Sequence, residues 1–80
     1  MANDVQPDEL KQVFRENLKS RRLQLGMTQV ELAEKLGVAQ AYISDLESGR
    51  KRPLVDTLAP LADALRTTPA RLITPKVTAA

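Results

Sequence analysis

Between two short amphipathic patterns in this chain stands a single glycine, Gly37, and the turn it permits is too tight to leave the flanking helices independent. Ahead of it, Thr28 and Glu31 form a T-x-x-E capping box, and Leu32, Ala33 and Leu36 give the next turns an apolar stripe. Behind it, Val38 is placed to plug the corner. A second helix is then expected from Ala39 to Ser48, with Ile43 and Leu46 facing inward at i, i+3 and Gln40, Ala41, Ser44 and Asp45 on the outer face. Gly49 ends it, and Arg50-Lys51-Arg52 follow at once. Short polar side chains beside a basic turn are the arrangement that nucleic-acid recognition needs.

The wording of this segment resembles the helix-turn-helix of the phage repressor and Cro family, and the likeness runs from about Phe14 to about Ile73. It is carried by Arg22-Leu23-Gln24-Leu25-Gly26-Met27-Thr28-Gln29, Glu31-Leu32-Ala33, Gln40-Ala41-Tyr42-Ile43-Ser44, Leu46-Glu47-Ser48-Gly49, Pro53, and Leu61-Ala62-Asp63-Ala64-Leu65. A single helix-glycine-helix fragment would say little, because helical hairpins in general share that grammar; the combination is what identifies the pattern. The resemblance implies an all-α, compact five-helix lambda-repressor-like bundle with the motif at helices two and three.

Eighty residues make one small domain, and with one Phe, one Tyr and no Trp its core has to be aliphatic. A domain of this length buries only about two thirds of its unfolded surface, so a dimer interface is a natural supplement. The absence of Cys and His removes thiol nucleophiles, disulfides, imidazole acid/base chemistry, and thiolate and imidazole metal sites. No cofactor, metal or catalytic residue is expected: no Gly-rich phosphate loop appears, no Ser has a His to activate it, and the acidic residues form no evident pair. The first residues have neither a basic cluster nor an apolar run of signal-peptide type, and no apolar stretch reaches membrane-spanning length, so a cytoplasmic location without a membrane partner is the expectation. Net charge is only +2, but residues 19 to 52 carry seven basic and four acidic groups, which puts the positive surplus on the motif.

The coarse pattern predicts a flexible extension over 1–7, a helix-turn-helix domain over 8–73 and a flexible tail over 74–80. Helix one is expected from Asp8 to Leu25 with Leu10, Phe14, Leu18 and Leu25 on one stripe, and helices two and three from Thr28 to Leu36 and Ala39 to Ser48. Helix four is expected over Val55 to Leu65, beginning late or kinked at Pro60 if Thr57 is its N-cap. A short helix five starts with Thr68 as N-cap and Pro69 at its first position. Ala39 departs from the family's usual hydroxyl residue at the start of the recognition helix.

Arg22 falls on the apolar stripe of helix one, where an unpaired guanidinium would be costly, and Glu47 borders the buried face of helix three. The resemblance implies that the two form a structural ion pair; the bland alternative is that Arg22 snorkels to solvent or to a phosphate. Among the outward residues, Gln40 is read as a bidentate amide to adenine, Ala41 as a methyl against thymine, and Ser44 as a donor or acceptor at base or phosphate. Asp45 faces the same way and is repelled by phosphates unless it accepts from a cytosine amino group or pairs with a cation such as Arg50. Phosphate contacts are assigned to Gln29 at the start of helix two, to Ser48, and to Arg50, Lys51 and Arg52, the last with reach into a narrow minor groove. Tyr42 is expected half-buried with its hydroxyl at the surface, phosphate contact being secondary. Dimerisation is expected through Leu65, Leu72 and Ile73, the alternative being that Leu72 and Ile73 cap the monomer's own core.

Together these imply a homodimeric, sequence-specific transcriptional regulator that occupies a near-palindromic operator on double-stranded DNA. The family includes phage repressors, restriction-modification controllers and antitoxins, and a small stand-alone controller fits best. The rival reading is a helix-turn-helix protein-interaction or dimerisation module, antitoxin-like, with little direct DNA readout.

Overall fold

The structure, a computed structural model, describes residues 7–75, with side chains from residue 9 onward. The expected flexible ends therefore lie outside the described residues, apart from Pro7, Thr74 and Pro75. Five helices follow in order: α1 (Pro7–Gln24), α2 (Gln29–Leu36), α3 (Gln40–Ser48), α4 (Val55–Ala64) and α5 (Pro69–Leu72). All regular structure among the described residues is helical, and no helix is long and apolar enough to cross a membrane.

The core takes Phe14 and Leu18 from α1, Leu32 and Ala33 from α2, Ile43 and Leu46 from α3, Leu61 and Ala62 from α4, Leu65 just beyond it, and Leu72 from α5. Each helix buries one stripe. α1 lies across α3 and α5, α2 packs on α3 and α4, and α4 meets α5, so that α3 is held from two sides with its remaining face outward. Leu10 is the exception on the α1 stripe, since it stands past the edge of the core and stays exposed.

Two residues expected at a dimer interface belong to this core instead. Leu65 is 0% and Leu72 1% exposed, because the turn after α4 and the single turn of α5 fold their side chains inward against α1. Of the three, only Ile73 is available to a partner.

The ends of α4 and α5 are tied down by polar groups of α1. Arg21 donates from Nε to the Leu65 carbonyl at 2.8 Å and from Nη2 to the Arg66 carbonyl at 2.8 Å. Asn17, which is buried, shares its amide hydrogens among the carbonyls of Arg71, Leu72 and Thr74 at 3.2, 3.0 and 2.9 Å. These carbonyls have no intrahelical partner, and buried ones need a donor from elsewhere. Asn17→Ala removes that donor, so an unfolding free energy lower by about 1–3 kcal/mol is expected in urea titration.

Helix α4 differs from expectation at its start. Leu54, not Thr57, is the N-cap, and Pro60 sits in the sixth helical position, where it forgoes the bond its N–H would have given to Asp56. The backbone N–H groups of Thr57 and Leu58 both bond the Leu54 carbonyl, which closes the first turn without a side-chain cap.

Candidate nucleic-acid interface

The motif is assembled by local rules. The Thr28 hydroxyl accepts from the Glu31 N–H at 3.0 Å and the Glu31 carboxylate accepts from the Thr28 N–H at 2.8 Å, a complete capping box. At the other end of α2, Gly37 has φ 72°, a conformation that side chains with a Cβ adopt only at a cost, and the Val38 N–H returns to the Ala33 carbonyl at 3.0 Å. This turn launches α3 at a fixed angle. Ala39 caps it with no side-chain bond. Its backbone already has the extended N-cap geometry, so Ala39→Ser should raise the thermal midpoint, by about 0.5–2 kcal/mol in free energy.

Arg22 and Glu47 meet in a bidentate pair, with Nε to Oε2 at 2.6 Å and Nη2 to Oε1 at 3.0 Å, both side chains more than nine-tenths enclosed. The third guanidinium nitrogen donates to the Met27 carbonyl at 2.7 Å and so fixes the α1–α2 turn as well. The hydrogen bond that Arg22 donates to Glu47 raises the Arg22 pKa above its ordinary value against the opposing effect of burial, and the carboxylate's charge adds to it; the guanidinium stays charged.

From this pair a chain of amides leads outward. Gln29 Nε2 donates to Glu47 Oε1 at 3.1 Å, and Gln40 Nε2 donates to Gln29 Oε1 at 3.3 Å. A carboxylate only accepts, so the Gln29 nitrogen has to face Glu47 and its oxygen has to face Gln40. The orientation of the exposed Gln40 amide is thereby set from the buried pair. Ala41 is exposed beside it, while Ser44 is half-buried.

A second group lies at the far end of α3. The Asp45 carboxylate stands 3.9 Å from Arg50 Nη1 and 3.8 Å from Lys51 Nζ, and is itself largely buried while both cations stay exposed. Lys51 also lies over the ring of Tyr42, 5.9 Å from its centroid. The Tyr42 hydroxyl, expected at the surface, is enclosed and has no hydrogen-bond partner among the described residues, because the ring packs back against the core. That position withdraws it from phosphate contact. Arg50, Lys51 and Arg52 are exposed, as is Ser48. Sequence reading passed over Lys11 and Arg15, whose side chains reach Gly49 from α1. The available signal was their spacing, since residues 11, 15 and 22 fall on one helical face.

Residues 18–72 match the family described as Helix-turn-helix. The chain is 37% identical over 67 residues to an uncharacterised HTH-type transcriptional regulator of Sinorhizobium fredii, covering 84% of this chain and 87% of that one. It is 38% identical over 50 residues to the immunity repressor protein of Bacillus phage phi105, covering 62% of this chain and 35% of the repressor. Among solved structures, the restriction-modification controller protein from Aeromonas hydrophila superposes with a TM-score of 0.73 at 27% identity, over 78% of this chain and 94% of the controller. A match spanning the motif and the helices that support it places this chain in the helix-turn-helix family of DNA-binding transcriptional regulators, on the phage repressor and Cro pattern its sequence resembles.

Proposed function

We propose that this protein is a homodimeric regulator that occupies a near-palindromic operator, with the first turn of α3 reading base edges and the turn after α3 neutralising phosphates. The observation that carries the reading is the amide chain from Glu47 through Gln29 to Gln40. With one hydrogen of Gln40 Nε2 spent on Gln29, the other hydrogen and Oε1 remain, and these are the donor and acceptor that match N7 and N6 of adenine in the major groove. A reader held in one orientation loses little entropy on binding. Ala41 supplies a methyl beside it and Ser44 a hydroxyl; Asp45 holds the cations of Arg50 and Lys51 beside the groove. Gln29, Ser48, Arg50, Lys51 and Arg52 serve the phosphates, and such a site needs neither metal nor cofactor.

The experiment is a comparison of two variants on a duplex selected from a random pool and on unselected DNA. Gln40→Ala should lose about 1–3 kcal/mol on the selected site and relax one base position. Lys51→Ala should weaken both duplexes alike and flatten the slope of log K against log salt by about 0.9. Equal losses on selected and unselected DNA for Gln40→Ala would remove it from the readout.

The dimer surface proposed here is the apolar face around the start of α4. Leu54 and Val55 are 66% and 83% exposed, and Ile73 is 40% exposed. They adjoin a mostly apolar groove formed by Leu10, Phe14, Pro53, Leu58 and Ile73, whose lining also includes the side chains of Lys11 and Arg52. A symmetric partner on this face buries apolar surface that a lone copy leaves in water, and to occupy two half-sites one turn of B-DNA apart the dimer has to hold its reading helices about 34 Å apart.

A further inference from the structure

We propose that Lys11 and Arg15, on the part of α1 that precedes the matched family segment, form an additional phosphate-binding element that lengthens the DNA footprint of this regulator beyond its helix-turn-helix. The proposal rests on the reading of α3 and the basic turn as the DNA interface. Its first support is position. A Cβ placed on Gly49 would lie 3.2 Å from Arg15 Cδ and 3.9 Å from Lys11 Cε, so both stems cross the end of α3 and bring their charged heads beside Ser48 and Gly49, immediately before Arg50-Lys51-Arg52. With Gln12 they line a shallow open hollow there. Gly49 is required by its own backbone, at φ 84°, and a side chain there would press on the Arg15 stem.

The second support is a surplus of donors in the same place. The backbone N–H groups of Gly49, Arg50 and Lys51 and the hydroxyl of Ser48 all converge on one acceptor, the Asp45 carbonyl, with Arg50 N at 2.9 Å, Lys51 N at 3.2 Å and Ser48 Oγ at 3.2 Å. A carbonyl oxygen has two lone pairs, so four donors share capacity for two and some are under-used. A phosphate oxygen beside the turn competes best for the two longer bonds, those of Lys51 N and Ser48 Oγ. Neither Lys11 nor Arg15 stands in an ion pair among the described residues, whereas Arg22, on the same face of α1, is committed to Glu47 and the Met27 carbonyl. The face of α1 thus divides into a buried cation that holds the fold and two partly exposed cations at the edge of the phosphate-binding turn. Arg15 is the nearer of the two.

The test is the salt dependence of affinity for a random-sequence duplex, measured for the parent protein, Lys11→Gln, Arg15→Gln, the double variant and Arg15→Lys, with thermal midpoints alongside. Each neutralised contact should lower the slope of log K against log salt by about 0.9, and the double variant by about twice that. Loss should be equal on selected and random duplexes, Arg15→Lys should keep the parent slope, and midpoints should stay near the parent value. A double variant that keeps the parent slope and affinity overturns the proposal. If the parent itself shows no salt-dependent duplex affinity, the reading of α3 as a DNA interface fails and this element with it, a result distinct from the first.

Discussion

Glu47→Ala is expected to lower stability by about 3–5 kcal/mol, because it leaves the Arg22 guanidinium buried without its carboxylate. Total stability for a small domain is about 5–15 kcal/mol, so the variant loses from about a fifth of it to all of it. For a domain of this size each kcal/mol moves the thermal midpoint by about 4–8 °C, and calorimetry should therefore find a fall of more than about 10 °C. Replacing both partners by apolar residues of similar volume, Arg22→Met with Glu47→Leu, should recover much of the loss, since most of it comes from the uncompensated charge and not from the worth of the pair. The recovered protein still lacks the acceptor that turns Gln29. Where it is folded, it should bind duplex DNA with its salt dependence intact and its preference for the selected site reduced. An unchanged midpoint for Glu47→Ala would show that Arg22 finds water or another partner.

What could be read in the sequence follows the range of the forces involved. The capping box of Thr28 and Glu31, the left-handed Gly37 and the inward stripe of Ile43 and Leu46 are all set within a few residues, so spacing alone reveals them. Asn17 and Arg21 were invisible because their partners lie 44 to 57 residues away, and nothing in an amide or a guanidinium on a helix announces which carbonyls it will close. Arg66 adopts φ 55° where a glycine would have marked the end of α4; its carbonyl and that of Leu65 are instead held by Arg21, so the usual stop signal is missing from the chain. Thr57 looked like a cap because a hydroxyl three residues before a proline fits that role, yet the chain begins α4 earlier on Leu54. For Tyr42, an amphipathic ring next to a basic turn leaves its direction open from sequence, and packing against the core decided it.

The proposed dimer surface differs from the one expected at Leu65 and Leu72 for a related reason, and it carries the largest functional effect expected of any variant. Apolar residues near a chain end suit both a core lid and an interface; Leu65 and Leu72 are lids, while Leu54 and Val55 are the most exposed of the large apolar side chains among the described residues, ahead of Leu23, Val30, Leu10 and Ile73. Leu72→Lys should therefore unfold the protein and say nothing about association, because it places an ammonium in the core. Leu54→Lys with Val55→Lys should leave a folded monomer, as both side chains already face water and lysine in the first turn of a helix costs about 0.3–1 kcal/mol. Losing the tether between two half-site contacts should weaken binding to the palindrome by about 10²–10⁴-fold while half-site affinity does not fall. The choice of lysine makes the result unambiguous in one respect: added positive charge strengthens attraction to phosphates, so a fall in operator affinity cannot come from repulsion. Sedimentation of the double variant beside the parent settles the assignment. A dimer that survives both lysines moves the interface off the start of α4, and a parent that is monomeric at the concentrations where it binds tightly removes the dimer from the mechanism.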